Sequence, residues 1–248
     1  MINGSENNDS ITIESVSLKT NSEQILVDAD DGNDALDVTV ANNNAGNINL
    51  DAGDGDDTLN ITLGTDNTGN ISLNGGLGVD VYMINLDNSN FATAGTKSGI
   101  TITDTSDDEN VIELFGGYTS DNLKSSSDTS SGAAKDILIG ISFSLSNDEK
   151  ILSVKYATAS DDGVQSNTSG GTILTLYVTN EETQLKIGKT SSDDLLIDTG
   201  LTIGSIVSAL KEHKNTDCYI GGSIDGTKFD AIQDYAVAVT EAKFTAAP

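Results

Sequence analysis

The sequence predicts a mainly β chain. Residues 1–118 read as a stack of parallel two-strand coils of about 23 residues, a β-solenoid. Residues 133–248 read as a β-rich α+β domain with one main helix. Three observations predict this: short apolar alternations recur at a fixed step, Gly- and Asp-rich turns recur in phase with them, and the acidity is concentrated in the repeating half.

Ile25, Ile48, Ile71 and Ile100 each open an alternation whose next apolar residue is Val27, Leu50, Leu73 or Ile102. The steps are 23, 23 and 29 residues. A second set keeps pace at Ser10-Ile11, Ala35-Leu36, Thr58-Leu59, Val81-Tyr82 and Val111-Ile112. Period-two alternation marks half-buried strands, here Ile11/Ile13, Leu36/Val38/Val40, Leu59/Ile61/Leu63, Ile84/Leu86 and Ile112/Leu114. Two strand sets sharing a period mean that each unit buries its apolar side against the next. The longer last step implies an insertion at Asn88 to Lys97.

Composition narrows the function. The 248 residues hold 39 acids against 12 bases, all Lys, for a net charge of −27. Residues 1–118 carry −19 of this and residues 119–248 carry −8. A chain of this charge repels polyanions, so nucleic acid is excluded as a partner. No apolar run approaches the ~20 residues of a membrane span. One Cys and one His make neither an internal disulfide nor a zinc site. The N-terminus lacks the basic and apolar regions of a signal peptide, so the chain is expected to be cytoplasmic, a processed fragment, or exported without an N-terminal signal. The acidity suits a hard cation.

The turns before the second strand set carry that chemistry. They read Ala29-Asp30-Asp31-Gly32-Asn33-Asp34, Ala52-Gly53-Asp54-Gly55-Asp56-Asp57 and Gly75-Gly76-Leu77-Gly78-Val79-Asp80. The third, continued through Val81-Tyr82-Met83, fits Gly-Gly-x-Gly-x-Asp-x-apolar-x at every fixed position, and the second misses only its first Gly. Gly4 to Thr12 and Thr105 to Glu113 are partial copies. Glycine permits the positive φ that turns carbonyls inward. Ca²⁺ wants six to eight oxygens from carbonyls and carboxylates, which two stacked turns can supply. The expected ligand set is Asp9, Asp31, Gly32, Asp34, Asp54, Gly55, Asp57, Gly76, Gly78, Asp80 and Asn110, with Asp34, Asp57 and Asp80 as the leading carboxylates. Leu36, Leu59 and Tyr82 are expected in the core.

Over residues 3–115 these turns resemble the RTX (repeats-in-toxin) nonapeptide family of secreted bacterial proteins. The resemblance implies a parallel β-roll with Ca²⁺ in its turns, folding outside the cell, and type I secretion. The chain departs from the family in its longer coil. Its opposite turns, Ala41 to Asn47 and Gly64 to Asn70, lack the motif, so a one-sided calcium ladder is expected.

A Ser-rich stretch, residues 119–132, reads as a linker. Beyond it, strands are predicted at Ile137 to Leu145, Ile151 to Ala157, Thr172 to Val178, Gln184 to Ile187, Leu195 to Asp198 and Cys218 to Ile224. A helix is predicted over Thr202 to Lys214, where Ile203, Ile206, Val207 and Leu210 share one face and Thr202 can cap the start. Residues 195–222 are similar to small modules of flagellar and phage-tail surface proteins. Phe229 to Thr245 fits either strand or helix. His213 reads as a solvated helix-end residue and Cys218 as structural, so no catalytic constellation is expected.

The expectation is therefore a secreted, calcium-binding structural protein of a bacterial surface, not an enzyme. It would self-assemble into an S-layer or matrix filament as a homo-oligomer or polymer. The alternatives are an adhesin module that binds a surface glycan or protein and, behind it, a carbohydrate-active module.

Overall fold

The computed structural model describes residues 1–85, 99–104, 106, 108–115, 138–157, 159–160, 163–164, 172–178, 181–188, 196–212 and 218–223. The expected insertion at 88–97, the linker at 119–132, His213 and residues 229–245 lie outside the described residues.

Ten strands build the first half: β1 (Ile2–Asn3), β2 (Ser10–Val16), β3 (Gln24–Asp28), β4 (Ala35–Val40), β5 (Asn47–Asp54), β6 (Thr58–Leu63), β7 (Ile71–Leu77), β8 (Val81–Asn85), β9 (Ile100–Ile102) and β10 (Val111–Phe115). They alternate between two parallel sheets, ordered β1-β3-β5-β7-β9 and β2-β4-β6-β8-β10. The register is that of the sequence repeat. Ile25 lies opposite Ile48, Ile48 opposite Ile71, and Ile71 opposite Ile100. In the other sheet Leu36, Leu59, Tyr82 and Ile112 form one row. A one-residue slip would turn each row from core to solvent, so burial sets the register. Both sheets face one core, in which Ile48, Ile61, Leu73 and Ile84 are fully buried. Edge strand β2 is half-buried and carries a bulge between Ile13 and Val16, with Ser15 at φ 55°.

The second half contributes β11 (Leu138–Leu145), β12 (Ile151–Ala157), β13 (Ala159–Ser160), β14 (Gly163–Val164), β15 (Thr172–Tyr177), β16 (Gln184–Gly188), β17 (Leu196–Thr202), α1 (Ile203–Glu212) and β18 (Cys218–Ser223). These extend the same two sheets. β15 adds to β9 in parallel and is followed by antiparallel β12, β11 and β18. β16 adds to β10 in parallel and pairs antiparallel with β17.

The predicted elements are present with shifts of a residue or two. One differs more. β17 runs on through Thr202, past the predicted strand end at Asp198, because its residues stay paired to β16 through a register shift at Leu185/Lys186. The helix then starts directly. Thr202 caps it reciprocally: Ser205 N donates to Thr202 Oγ1 (3.2 Å), and Thr202 N donates to Ser205 Oγ (3.0 Å).

Candidate metal site in the turn ladder

Each motif aspartate stands immediately before an even-numbered strand and inherits the strand's register. The main chain locks the coils together there: Ala35 N donates to Asp9 O (2.9 Å), Thr58 N to Asp34 O, Val81 N to Asp57 O and Val111 N to Asp80 O (each 2.8 Å). The side chains make a second ladder running the other way. Asp34 Oδ1 accepts from Asp9 N (2.6 Å), Asp57 Oδ1 from Asp34 N (2.6 Å), Asp80 Oδ1 from Asp57 N (2.9 Å) and Asn110 Oδ1 from Asp80 N (2.7 Å).

One oxygen of each acid is left over. Asp34, Asp57 and Asp80 are 3 %, 1 % and 0 % exposed, and the Oδ2 atom of each has no hydrogen-bond partner. A buried carboxylate without compensation is costly. Burial raises all three acids above the ordinary carboxylate pKa, with neighbouring acids adding to it: Asp57 to about 6 and Asp80 to about 7.

The turn glycines serve the stacking as well as the turn. Gly32, Gly53, Gly55, Gly76 and Gly78 all have positive φ. A Cβ on Gly53 would overlap the carbonyl oxygen of Asp30, and one on Gly76 that of Gly53. Some motif amides are spent on neighbouring coils: Gly32 N donates to Asp54 O (2.8 Å), Gly55 N to Leu77 O (2.7 Å) and Gly78 N to Asp108 Oδ2 (2.9 Å).

Of the predicted ligands, the structure brings Asp34, Asp57, Asp80 and Asn110 into one buried row. Asp9 is half-buried at the first coil, where Ser5 closes the ladder by donating N (2.6 Å) and Oγ (3.0 Å) to Asp9 Oδ2. Asp31, in a turn, and Asp54, the last residue of β5, are exposed. Asn110 has both amide atoms engaged, since its Nδ2 donates to Asp104 Oδ2 (2.8 Å). Among the described residues no group of three or more His, Cys, Asp or Glu side chains converges as a ready-made metal cluster. The donor atoms left over for a hard cation are the unpartnered Oδ2 oxygens of Asp34, Asp57 and Asp80.

The opposite turns supply an internal control that the motif search passes over. Asn44 and Asn67, 0 % and 4 % exposed, form the same kind of ladder. Asn44 Oδ1 accepts from Leu18 N (2.9 Å), and Asn67 Oδ1 from Asn44 N (3.0 Å). Here the second side-chain atom is satisfied: Asn44 Nδ2 donates to Gly46 O (2.9 Å) and Asn67 Nδ2 to Gly64 O (2.7 Å). The 23-residue spacing of these asparagines is the signal that could have found them. An amide closes the ladder by itself; an acid leaves room for a proton or a cation.

A second feature absent from the sequence reading is Asp104. The pairing of Ile71 with Ile100 and Leu73 with Ile102 puts Asp104 opposite Gly75, the place held by Ala29 and Ala52 in earlier coils. That alignment was the available clue. Asp104 Oδ2 accepts from Tyr82 Oη (2.6 Å) and Asn110 Nδ2, and Oδ1 accepts from Ser106 N (2.8 Å). Tyr82 is core, as its row predicts, but its hydroxyl also accepts from Gly75 N (2.8 Å). Burial, then Asp104, push the Tyr82 phenol above its ordinary pKa. Comparison with known proteins finds no matching family model, no matching curated protein and no matching solved structure.

Proposed function

We propose that residues 1–118 are a β-solenoid of the β-roll kind and that its turn ladder takes up Ca²⁺. The whole chain would then serve as a secreted structural protein of a bacterial surface rather than as an enzyme. One observation carries the reading: three buried aspartates, 23 residues apart, each leave an oxygen unpartnered where the opposite turns use a self-sufficient asparagine. Asp34, Asp57 and Asp80 would be the charged ligands, with carbonyls of the Gly-rich turns beside them. Bound calcium supplies the positive charge that this row lacks. Uptake requires the carboxylates to be ionised, so binding is coupled to folding. At low calcium the ladder is loose, and at extracellular calcium it sets.

Self-assembly into a layer or filament is the use we assign to such a module. The bulge at Ser15 and the Ser5 closure of Asp9 blunt the β2 edge, so copies would join through other surfaces. The test is calcium titration of the full chain, followed by melting, light scattering and electron microscopy. A rise in Tm with calcium, lost in the Asp57→Ala/Asp80→Ala double variant, supports the ladder. An unchanged melt after chelation overturns it. Calcium-dependent polymers support assembly; a monomer at every calcium level rejects it.

A further inference from the structure

We propose that Asp80 and Asp104 together hold a divalent cation where the last repeat turn meets the second half of the chain. This site reaches beyond the repeated turn motif. It shares Asp80 with the ladder and rests on the calcium reading for the nature of its ion, but its second carboxylate lies outside the motif. Nothing in the turn repeat calls for an acid at position 104, where the preceding coils place Ala29, Ala52 and Gly75.

Four observations converge on it. Asp80 is 0 % exposed and its Oδ2 has no hydrogen-bond partner. Gly75 lies against that oxygen: a Cβ there would overlap Asp80 Oδ2 and would come within 2.6 Å of Tyr82 Oη. The missing side chain thus lets both of these oxygens pack against the Gly75 backbone. Asp104, 5 % exposed, accepts from three donors, on Tyr82, Asn110 and Ser106. Beside it is a cavity of ≈ 20 Å³, lined by Tyr82, Asp104, Asn110 and Thr183 among apolar residues that include Leu176 and Ile203. That volume takes about one water molecule, a further oxygen ligand beside Asp104.

The chemistry follows from charge. Two buried carboxylates close enough for the charge of Asp104 to act on Asp80 repel, and among the described residues no Lys or His is paired with either. One divalent ion neutralises both, and oxygen donors select a hard ion. Asn110 bridges the site to the ladder, while Tyr82 positions Asp104 through its hydroxyl. Because Leu176, Tyr177, Thr183 and Ile203 line the same cavity, the ion would fasten the second half onto the end of the repeats.

The experiment uses the full chain, with Ca²⁺ counted by equilibrium dialysis and Tb³⁺ as a luminescent probe excited through tyrosine. Wild type is compared with Asp104→Asn, Tyr82→Phe and Asp57→Asn. Asp104→Asn keeps an oxygen for Tyr82 and removes one charge; we expect it to lose one bound ion. Tyr82→Phe should lose most of the tyrosine-sensitised Tb³⁺ emission, because its ring is the sensitiser nearest the pair. If Asp104→Asn binds as many ions as wild type and Tyr82→Phe keeps its emission, the pair shares a proton instead and the proposal is wrong. If Asp104→Asn does not fold, the ion count of Asp104→Ala, which restores the residue held there by Ala29 and Ala52 in earlier coils, decides in its place. Loss of an ion in Asp57→Asn with none in Asp104→Asn leaves the ladder standing and removes this site. The reverse pattern keeps this site and removes the ladder.

Discussion

At Asp57 the difference between the two turn rows reduces to one atom. Its Oδ1 does the same work as the Oδ1 of Asn44 or Asn67, and its Oδ2 does none. An unsatisfied buried polar group costs about 1–3 kcal/mol, more when charged. Asp57→Asn should therefore raise Tm by several degrees in chelated buffer near pH 8. In saturating calcium the order should reverse, because the amide gives up a charged ligand. Thermal melts of both proteins with and without calcium check the crossover; parallel curves would show that Oδ2 has no role. Gly76 is set by a different constraint. Asp30 takes the equivalent place at φ 72°, but Gly76 stands at φ 104°, a conformation that L side chains rarely adopt. Gly76 cannot carry a side chain, because the carbonyl of Gly53 occupies the position of its Cβ. Gly76→Ala should cost at least about 2 kcal/mol, the range of a strained backbone plus a displaced coil. Urea denaturation measures it.

The ladder as an element responds to pH. Asp57 and Asp80 titrate in the folded state at about 6 and about 7, above the ordinary value of 3.8, because burial disfavours their charged forms. Between those values and 3.8 the folded chain binds more protons than the unfolded one, so stability falls as pH rises. Metal-free protein should gain about 5 °C or more in Tm on acidification from pH 8 to pH 5, given about 2–4 °C per kcal/mol for a chain of this size. Calcium should flatten the profile at its alkaline end, where it takes the place of the protons. A metal-free Tm that increases with pH across this window would contradict the burial argument. Much of this element was legible beforehand. Asp34, Asp57 and Asp80 stood out through the 23-residue step, and all three are in the buried row. Asp31 and Asp54 belong to the same predicted ligand set but are exposed, because they lie outside the row that immediately precedes the even-numbered strands.

Across the whole molecule the two sheets pass from the repeats into the second half without a break in register. β9 hands over to β15 and β10 to β16, and Glu113 and Lys186, opposite each other in β10 and β16, are 3.9 Å apart. The main-chain ladder continues past the last aspartate, from Gln184 N to Asn110 O (2.8 Å) and from Ile203 N to Thr183 O (2.9 Å). Val38 and Leu59 of the repeats belong to the same core as Leu174, Leu185 and Leu210. A shared core and shared sheets favour cooperative melting. Calorimetry should show one transition for the full chain, and calcium should move it as a unit. Two separated peaks, only one of them sensitive to calcium, would show that the halves fold independently.

The sequence by itself determined the two strand sets, their register and the three leading aspartates. Each of these follows from a local period, and a period can be read along the chain. Only the tertiary structure decided what closes the stack. Asp104 meets Tyr82 and Asn110, and β15 and β16 cover the last coil, through contacts between segments whose separation breaks the repeat. Stacking also separated acids that composition treats alike: it buried Asp57 without a partner for one oxygen and left Asp54 in water, and that difference in solvation is what sets the two apart.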